Sequence, residues 1–208
     1  MSRTASRLAK LLVSGVLLAG AGALLTGGAT SCAATPDRSR ATFILLPDYI
    51  AYRDNVDPYL QRRCGTLDCH GQPGRAYRLY GFSGFRLYNE DAGLVSGQQP
   101  TTEAEITANF QATVALEPEE MSRLIARQGV DPEKLIFLRK PLRLERHKGG
   151  RSMEIDDPGY RCVTAWLRLR TVRAAQDETG EIETIPPEDR EPFPLRARQE
   201  CALAASIP

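Results

Sequence analysis

The sequence predicts a mainly α fold with long irregular connections, and three observations lead there. Apolar residues recur at helical spacing in several segments. Those segments open on Asp-Pro, Thr or Pro, the residue types that start helices. Between them run stretches rich in Gly and Pro, with no internal repeat.

Taken in order, residues 1–31 read as a secretory signal. Arg3, Arg7 and Lys10 precede an apolar run from Leu11 to Leu25, and small residues lead through Ala29-Thr30-Ser31 to Cys32. An uncleaved anchor helix is the alternative, because no charge falls between Leu11 and Thr30. Cys32 stands where a bacterial lipoprotein signal ends, although the large apolar residue usual three positions earlier is missing. Lipidation there would anchor the chain to a membrane through two acyl chains. Residues 32–45 then serve as a tether, and the expected site is the periplasm or cell envelope.

A helix is expected from Asp48, carrying Tyr49, Ile50, Tyr52, Val56, Tyr59 and Leu60, with Asp57-Pro58 breaking or restarting it. Turn residues dominate from Gly65 to Gly97. The aromatic and aliphatic side chains among them, Tyr77 to Tyr88, require that this loop be packed against something. Thr101 or Thr102 caps the next helix, with Ile106, Phe110 and Val114 in phase. Pro118 opens a short one with Met121, Leu124 and Ile125. Asp131-Pro132 opens another with Leu135, Ile136 and Leu138, ending before Pro141. Asp157-Pro158 starts the last strong helix, with Tyr160, Val163, Trp166 and Leu167 on one face. One domain is expected over 46–176, and 177–208 forms an acidic loop and tail.

Of 27 basic and 26 acidic residues, Arg3, Arg7 and Lys10 fall in the leader, so the remainder is weakly acidic. With no basic stripe, nucleic acid is an unsuitable partner. The five cysteines divide without remainder in an exported chain: Cys32 for lipid, Cys64 and Cys69 beside a histidine, and Cys162 with Cys201 for a disulfide. No nucleophile–base pair or phosphate-binding loop points to a hydrolase or transferase. The chain is not expected to be an enzyme.

The chemistry is concentrated in Cys64-Gly65-Thr66-Leu67-Asp68-Cys69-His70-Gly71. Two cysteines followed at once by histidine are what a covalently attached haem c needs: two thioethers and one axial nitrogen on the same side. Four residues rather than the usual two separate the cysteines, so the loop must bulge, and Gly65 is suited to unusual dihedrals. A Cys64–Cys69 disulfide, a zinc site of Cys64, Cys69, His70 and His147, or a His70 that ligates nothing are the plainer readings.

Further motifs follow in fixed order: Gly84-Phe85-Arg86-Leu87, Lys140-Pro141, His147-Lys148-Gly149-Gly150, then Tyr160 and Trp166. With the Cys-(four residues)-Cys-His-Gly motif, they make the chain from about Arg53 to Leu167 resemble bacterial cytochrome c domains of the planctomycete type. The stretch around 95–130 and the pair Cys162–Cys201 depart from that pattern. The resemblance implies a cytochrome c-like helical domain with one covalent haem c at Cys64, Cys69 and His70. It also implies one-electron transfer with redox partner proteins. His147 is the implied sixth ligand, with Met153 and then Met121 as rivals. Leu60, Phe82, Phe85, Leu135, Leu138 and Trp166 are the expected pocket walls. The competing functions are a non-catalytic envelope lipoprotein built on the disulfide or zinc, and a haem-dependent sensor with an open iron position.

Overall fold

This computed structural model describes residues 44–88, 99–173 and 183–206. The expectations for the leader, Cys32, most of the tether, and the acidic run Asp177 to Glu181 lie outside the described residues. Ile44 onward forms one compact unit, and it is mainly helical, as the sequence predicts.

The first helical rod runs without a break from Tyr49 to Arg63, but not with one geometry. Helix α1 (Tyr49–Ala51) passes into a π-helical turn (Tyr52–Val56) and then into α2 (Asp57–Arg63). Asp48 starts it by accepting the Ala51 N–H at 2.7 Å, which relieves one of the first-turn donors. The Asp57-Pro58 pair restarts the α-helix, as expected, yet Asp57 is no cap. Val56 occupies that position in helical conformation, and the Asp57 carboxylate is buried among side chains. The π turn does the restarting instead: the chain enters Pro58 already helical, so the missing N–H is absorbed by the wider turn.

Helix α3 (Glu103–Val114) opens on a complete capping box. Thr102 rather than Thr101 provides it, and Glu105 returns the bond to the Thr102 N–H at 2.9 Å. Helix α4 (Pro118–Ala126) follows, burying Met121, Leu124 and Ile125. The segment after Asp131 is not the single helix expected. It is a 3-10 turn (Pro132–Lys134) and a single-turn α5 (Ile136–Arg139), because Asp131 sits at φ +56° and makes no cap. Helix α6 (Pro158–Leu167) starts as foreseen, with Asp157 accepting the Tyr160 N–H. It is not the last helix, since α7 (Leu195–Ser206) follows a 3-10 turn at Pro187–Asp189. Sequence reasoning missed α7 because its apolar residues are mostly alanines; Ala197, Cys201 and Ala204 bury a narrow stripe against α6.

The core gathers on Trp166, which is 0% exposed. Its indole lies 5.2 Å from the Tyr52 ring and 6.5 Å from Phe110, and its Nε1–H donates to the Asp48 carbonyl at 2.8 Å. Asp48 also accepts from Arg190 at 2.8 Å. One residue therefore joins the first helix, α6 and the C-terminal segment. The predicted Cys162–Cys201 disulfide is present and ties α6 to α7.

Candidate functional site

Cys64 ends α2, its N–H bonded to the Leu60 carbonyl at 2.8 Å. The chain then turns on Thr66, whose carbonyl accepts from both Cys69 and Gly71 at 3.0 and 2.9 Å, and His70 N–H closes the loop on the Cys64 carbonyl at 2.8 Å. Those bonds absorb the two extra residues between the cysteines. Gly65 is needed for space rather than for dihedrals: its φ is not in the left-handed region, but a Cβ there would press on the Gln61 backbone at 2.9 Å. Gly71 and Gly84 pack backbone to backbone over the Gly65 carbonyl, with no room for a side chain on either. Phe85 N–H seals that contact on the Gly71 carbonyl at 2.6 Å.

This loop sets His70 against His147, and both line the same cavity. Nδ1 of His70 lies 2.9 Å from the Tyr77 carbonyl, and Nδ1 of His147 lies 2.8 Å from the Gly150 carbonyl. A carbonyl only accepts, so each Nδ1 carries the proton and each Nε2 keeps its lone pair. Gly150, at φ +78°, is the residue whose left-handed backbone swings that carbonyl back onto His147. The two imidazoles are parallel to within 9°, their centres 6.1 Å apart. Burial, helped by His147 and Arg75 and opposed by the Tyr77 carbonyl, holds the His70 pKa below its ordinary value. The neutral form that can ligate a metal is thereby favoured.

The cavity beside them, about 240 Å³, is walled by Leu60, Tyr77, Leu116, Ile136, Phe137, Pro141 and Met153, with Cys64 at its edge. An adjoining one of about 430 Å³ shares Cys64, His70, Arg75, Lys140 and His147, and adds Asp68, Cys69 and the cations Arg63, Arg146 and Lys148. Of the expected walls only Leu60 is in place. Phe82 and Phe85 are 47% and 41% exposed, and Leu135, Leu138 and Trp166 are buried in the core instead. Leu135, just before α5, and Leu138, within it, turn inward, which leaves the neighbouring Ile136 and Phe137 to line the cavity. Tyr77 was visible in the sequence as an apolar residue in a loop that had to be packed, but nothing there gave its partner.

The candidate ligands separate. His147 and Met153 both border the cavity, whereas Met121, on the buried face of α4, does not. Cys64 and Cys69 are half-buried free thiols, not joined to each other. Burial, with Cys69 acting the same way and Arg63 opposing, pushes the Cys64 thiol up to about 12. Among the described residues no group of three or more His, Cys, Asp or Glu side chains is gathered tightly enough for a metal ion. The four-ligand zinc site weighed from the sequence is therefore not assembled.

Haem was tested against the same residues. Two imidazoles that hold one metal through bonds of ~2.0–2.1 Å have ring centres about 6 Å apart, and the stacked rings of His70 and His147 lie at 6.1 Å. The first cavity offers an apolar lining, as a porphyrin would need, and the adjoining one offers cations that would suit its carboxylates. Cys64 borders both cavities and Cys69 the adjoining one. The donor set fits. Comparison with protein-family models, curated proteins and solved structures finds no match.

Proposed function

We propose that the protein is a c-type cytochrome, an electron carrier rather than an enzyme, holding one covalent haem c outside the cytoplasm. The observation that carries this reading is the His70–His147 pair: parallel imidazoles facing one apolar cavity, each with Nδ1–H fixed by a backbone carbonyl. That second hydrogen bond fixes the tautomer and ring orientation of metal-bound histidines and raises their basicity. A histidine serving only the fold has no need to leave Nε2 free across a cavity from a second one that does the same.

Each residue then has a task. Cys64 and Cys69 would hold the porphyrin through two thioethers. His70 and His147 would each offer an Nε2 to the iron. Leu60, Phe137 and Met153 would exclude water from the group, and Arg63, Arg75, Arg146 and Lys148 would suit its carboxylates. The bound haem supplies a one-electron iron couple. Two imidazoles favour the ferric state relative to a His–Met pair, so the potential should be low for a cytochrome c. Export through the leader, lipidation at Cys32 and redox partner proteins belong to the same proposal and rest on the sequence.

The test is to make the protein beside a cytochrome c maturation system and extract it with acidic acetone. Colour that stays with the protein and gives a pyridine haemochrome is the expected result. A colourless protein, or colour that leaves with the solvent, would overturn the reading in favour of the envelope lipoprotein without haem.

A further inference from the structure

Asp57 is a buried ionisable group that the haem reading does not use, and unlike buried Asp48 and Glu105 it has no cation against it among the described residues. It is 1% exposed, and the partners that hold its carboxylate are neutral: Asn109 Nδ2 at 3.0 Å, the Gln61 side-chain amide, and the Tyr52 hydroxyl. Gln61 and Asn109 are themselves committed, to the Thr101 hydroxyl at 2.6 Å and to the Tyr80 backbone at 2.6 and 2.8 Å, so the carboxylate sits in a rigid polar cage.

That cage is joined to the site. The Tyr52 hydroxyl lies 3.5 Å from Thr113 Oγ1, and Thr113 Oγ1 lies 3.0 Å from the Tyr77 hydroxyl. The backbone carbonyl of Tyr77 accepts the His70 Nδ1–H, and its ring rests 4.9 Å from the His70 ring. Thr113 Oγ1 gives its one proton to the Asn109 carbonyl at 2.8 Å and the Tyr52 hydroxyl gives its own to Asp57, so the three hydroxyls form a buried electrostatic path, not a proton wire, from Asp57 to the residue that orients His70. A buried path of this kind transmits charge strongly, because little water screens it.

We propose that Asp57 is a proton site coupled to the His70–His147 centre, so that the protein takes up one proton at Asp57 as it takes up one electron. The electron comes from a one-electron donor and enters the iron; the proton comes from water and converts the Asp57 carboxylate to the acid. No bond other than that O–H forms or breaks. The inference rests on the proposed haem.

The surroundings set the range. Burial raises the Asp57 pKa to about 6, the bonds from Asn109, Gln61 and Tyr52 hold it down, and the Glu105 charge adds to the rise. Glu105, on α3, is itself paired with Arg86 at 2.7 Å. Tyr77 faces Asp57 from the loop, and burial and Asp57 both raise its own pKa. On the same rod Arg53 pairs with Asp54 at the surface. Helix α7, also packed on α2, carries Glu200 paired with Arg161. An added electron nearby disfavours the carboxylate further, so reduction draws the proton in.

The experiment is potentiometric titration of the haem-loaded protein across pH 5–8, for the native chain and Asp57→Asn, with redox-difference infrared spectra of the native chain. The midpoint potential should fall as pH rises above about 6, approaching 59 mV per unit at full coupling. Asp57→Asn should flatten that fall, and a protonated-carboxyl band should appear on reduction in the native protein. An unchanged slope in Asp57→Asn assigns the proton elsewhere, the haem carboxylates first, and overturns the proposal. So does a flat native profile. If Asp57→Asn does not fold, the infrared spectrum decides alone, and no redox-linked carboxyl band overturns it. A red protein with a flat profile sinks this inference and leaves the haem standing; a colourless one sinks both.

Discussion

Trp166 and His70 sit in regions of this molecule that are held by different forces. Around Trp166 the contacts are between side chains: Tyr52, Phe110, Val163 and Leu167 are buried together, and the Cys162–Cys201 bridge closes over them. Around His70 the chain is held by its own backbone. Gly65, Gly71 and Gly84 touch without side chains, and carbonyls of Cys64, Tyr77 and Gly150 hold the loop and both histidines. A core of side chains tolerates small shifts, because stability there scales with area removed from water. A backbone cradle fixes directions instead, which is what two imidazoles on one metal require. The fold is thus carried by one region and the proposed chemistry by the other, and each should fail in its own way.

Breaking the first region should cost the most. Replacing both Cys162 and Cys201 by Ser releases a bridge between residues 39 apart. The chain-entropy model gives a loss of roughly 3–4 kcal/mol, readable as a lower urea midpoint. The spectrum of the folded remainder should not change. A spectral shift at low urea would show that the two regions are not independent.

Gly71→Ala strikes the second region. A Cβ there runs into the Gly65 carbonyl and Gly84 Cα, and overpacking of this kind costs about 1–3 kcal/mol. The larger expected effect is on haem yield, because the loop that presents Cys64, Cys69 and His70 must open. Full haem loading with normal stability would mean that the glycine contact does not set the cradle.

The same division explains what could be read in advance. Helix starts were legible wherever a local signal existed, as at Asp48, Thr102, Pro118 and Asp157, since capping is settled within four residues. Cys162 with Cys201 followed from counting, and Cys64, Cys69 and His70 stand together in the sequence. The pairing of His70 with His147 was the harder step, made through resemblance and through His147 being the one other histidine. Its physical basis, two backbone carbonyls on two Nδ1 atoms, depends on tertiary position. The pocket walls were misread for the same reason. Leu135, at the start of α5, and Phe137, within it, differ by two positions, and nothing local states which faces the core. Helix α7 escaped because an alanine stripe carries little periodic signal until α6 is beside it.

The claim on which the rest depends is that His147, and not Met153, faces His70 across one iron. The measurement is the absorption spectrum of the haem-loaded protein, ferric and ferrous, for His147→Ala and Met153→Leu, with and without added carbon monoxide. His147→Ala should shift the spectrum and let the reduced protein bind carbon monoxide at once. Met153→Leu, a volume-conserving change at a cavity wall, should leave both properties as they are in the native protein. The reverse pattern, with Met153→Leu opening the iron and His147→Ala silent, would contradict the account and give the distal position to the thioether.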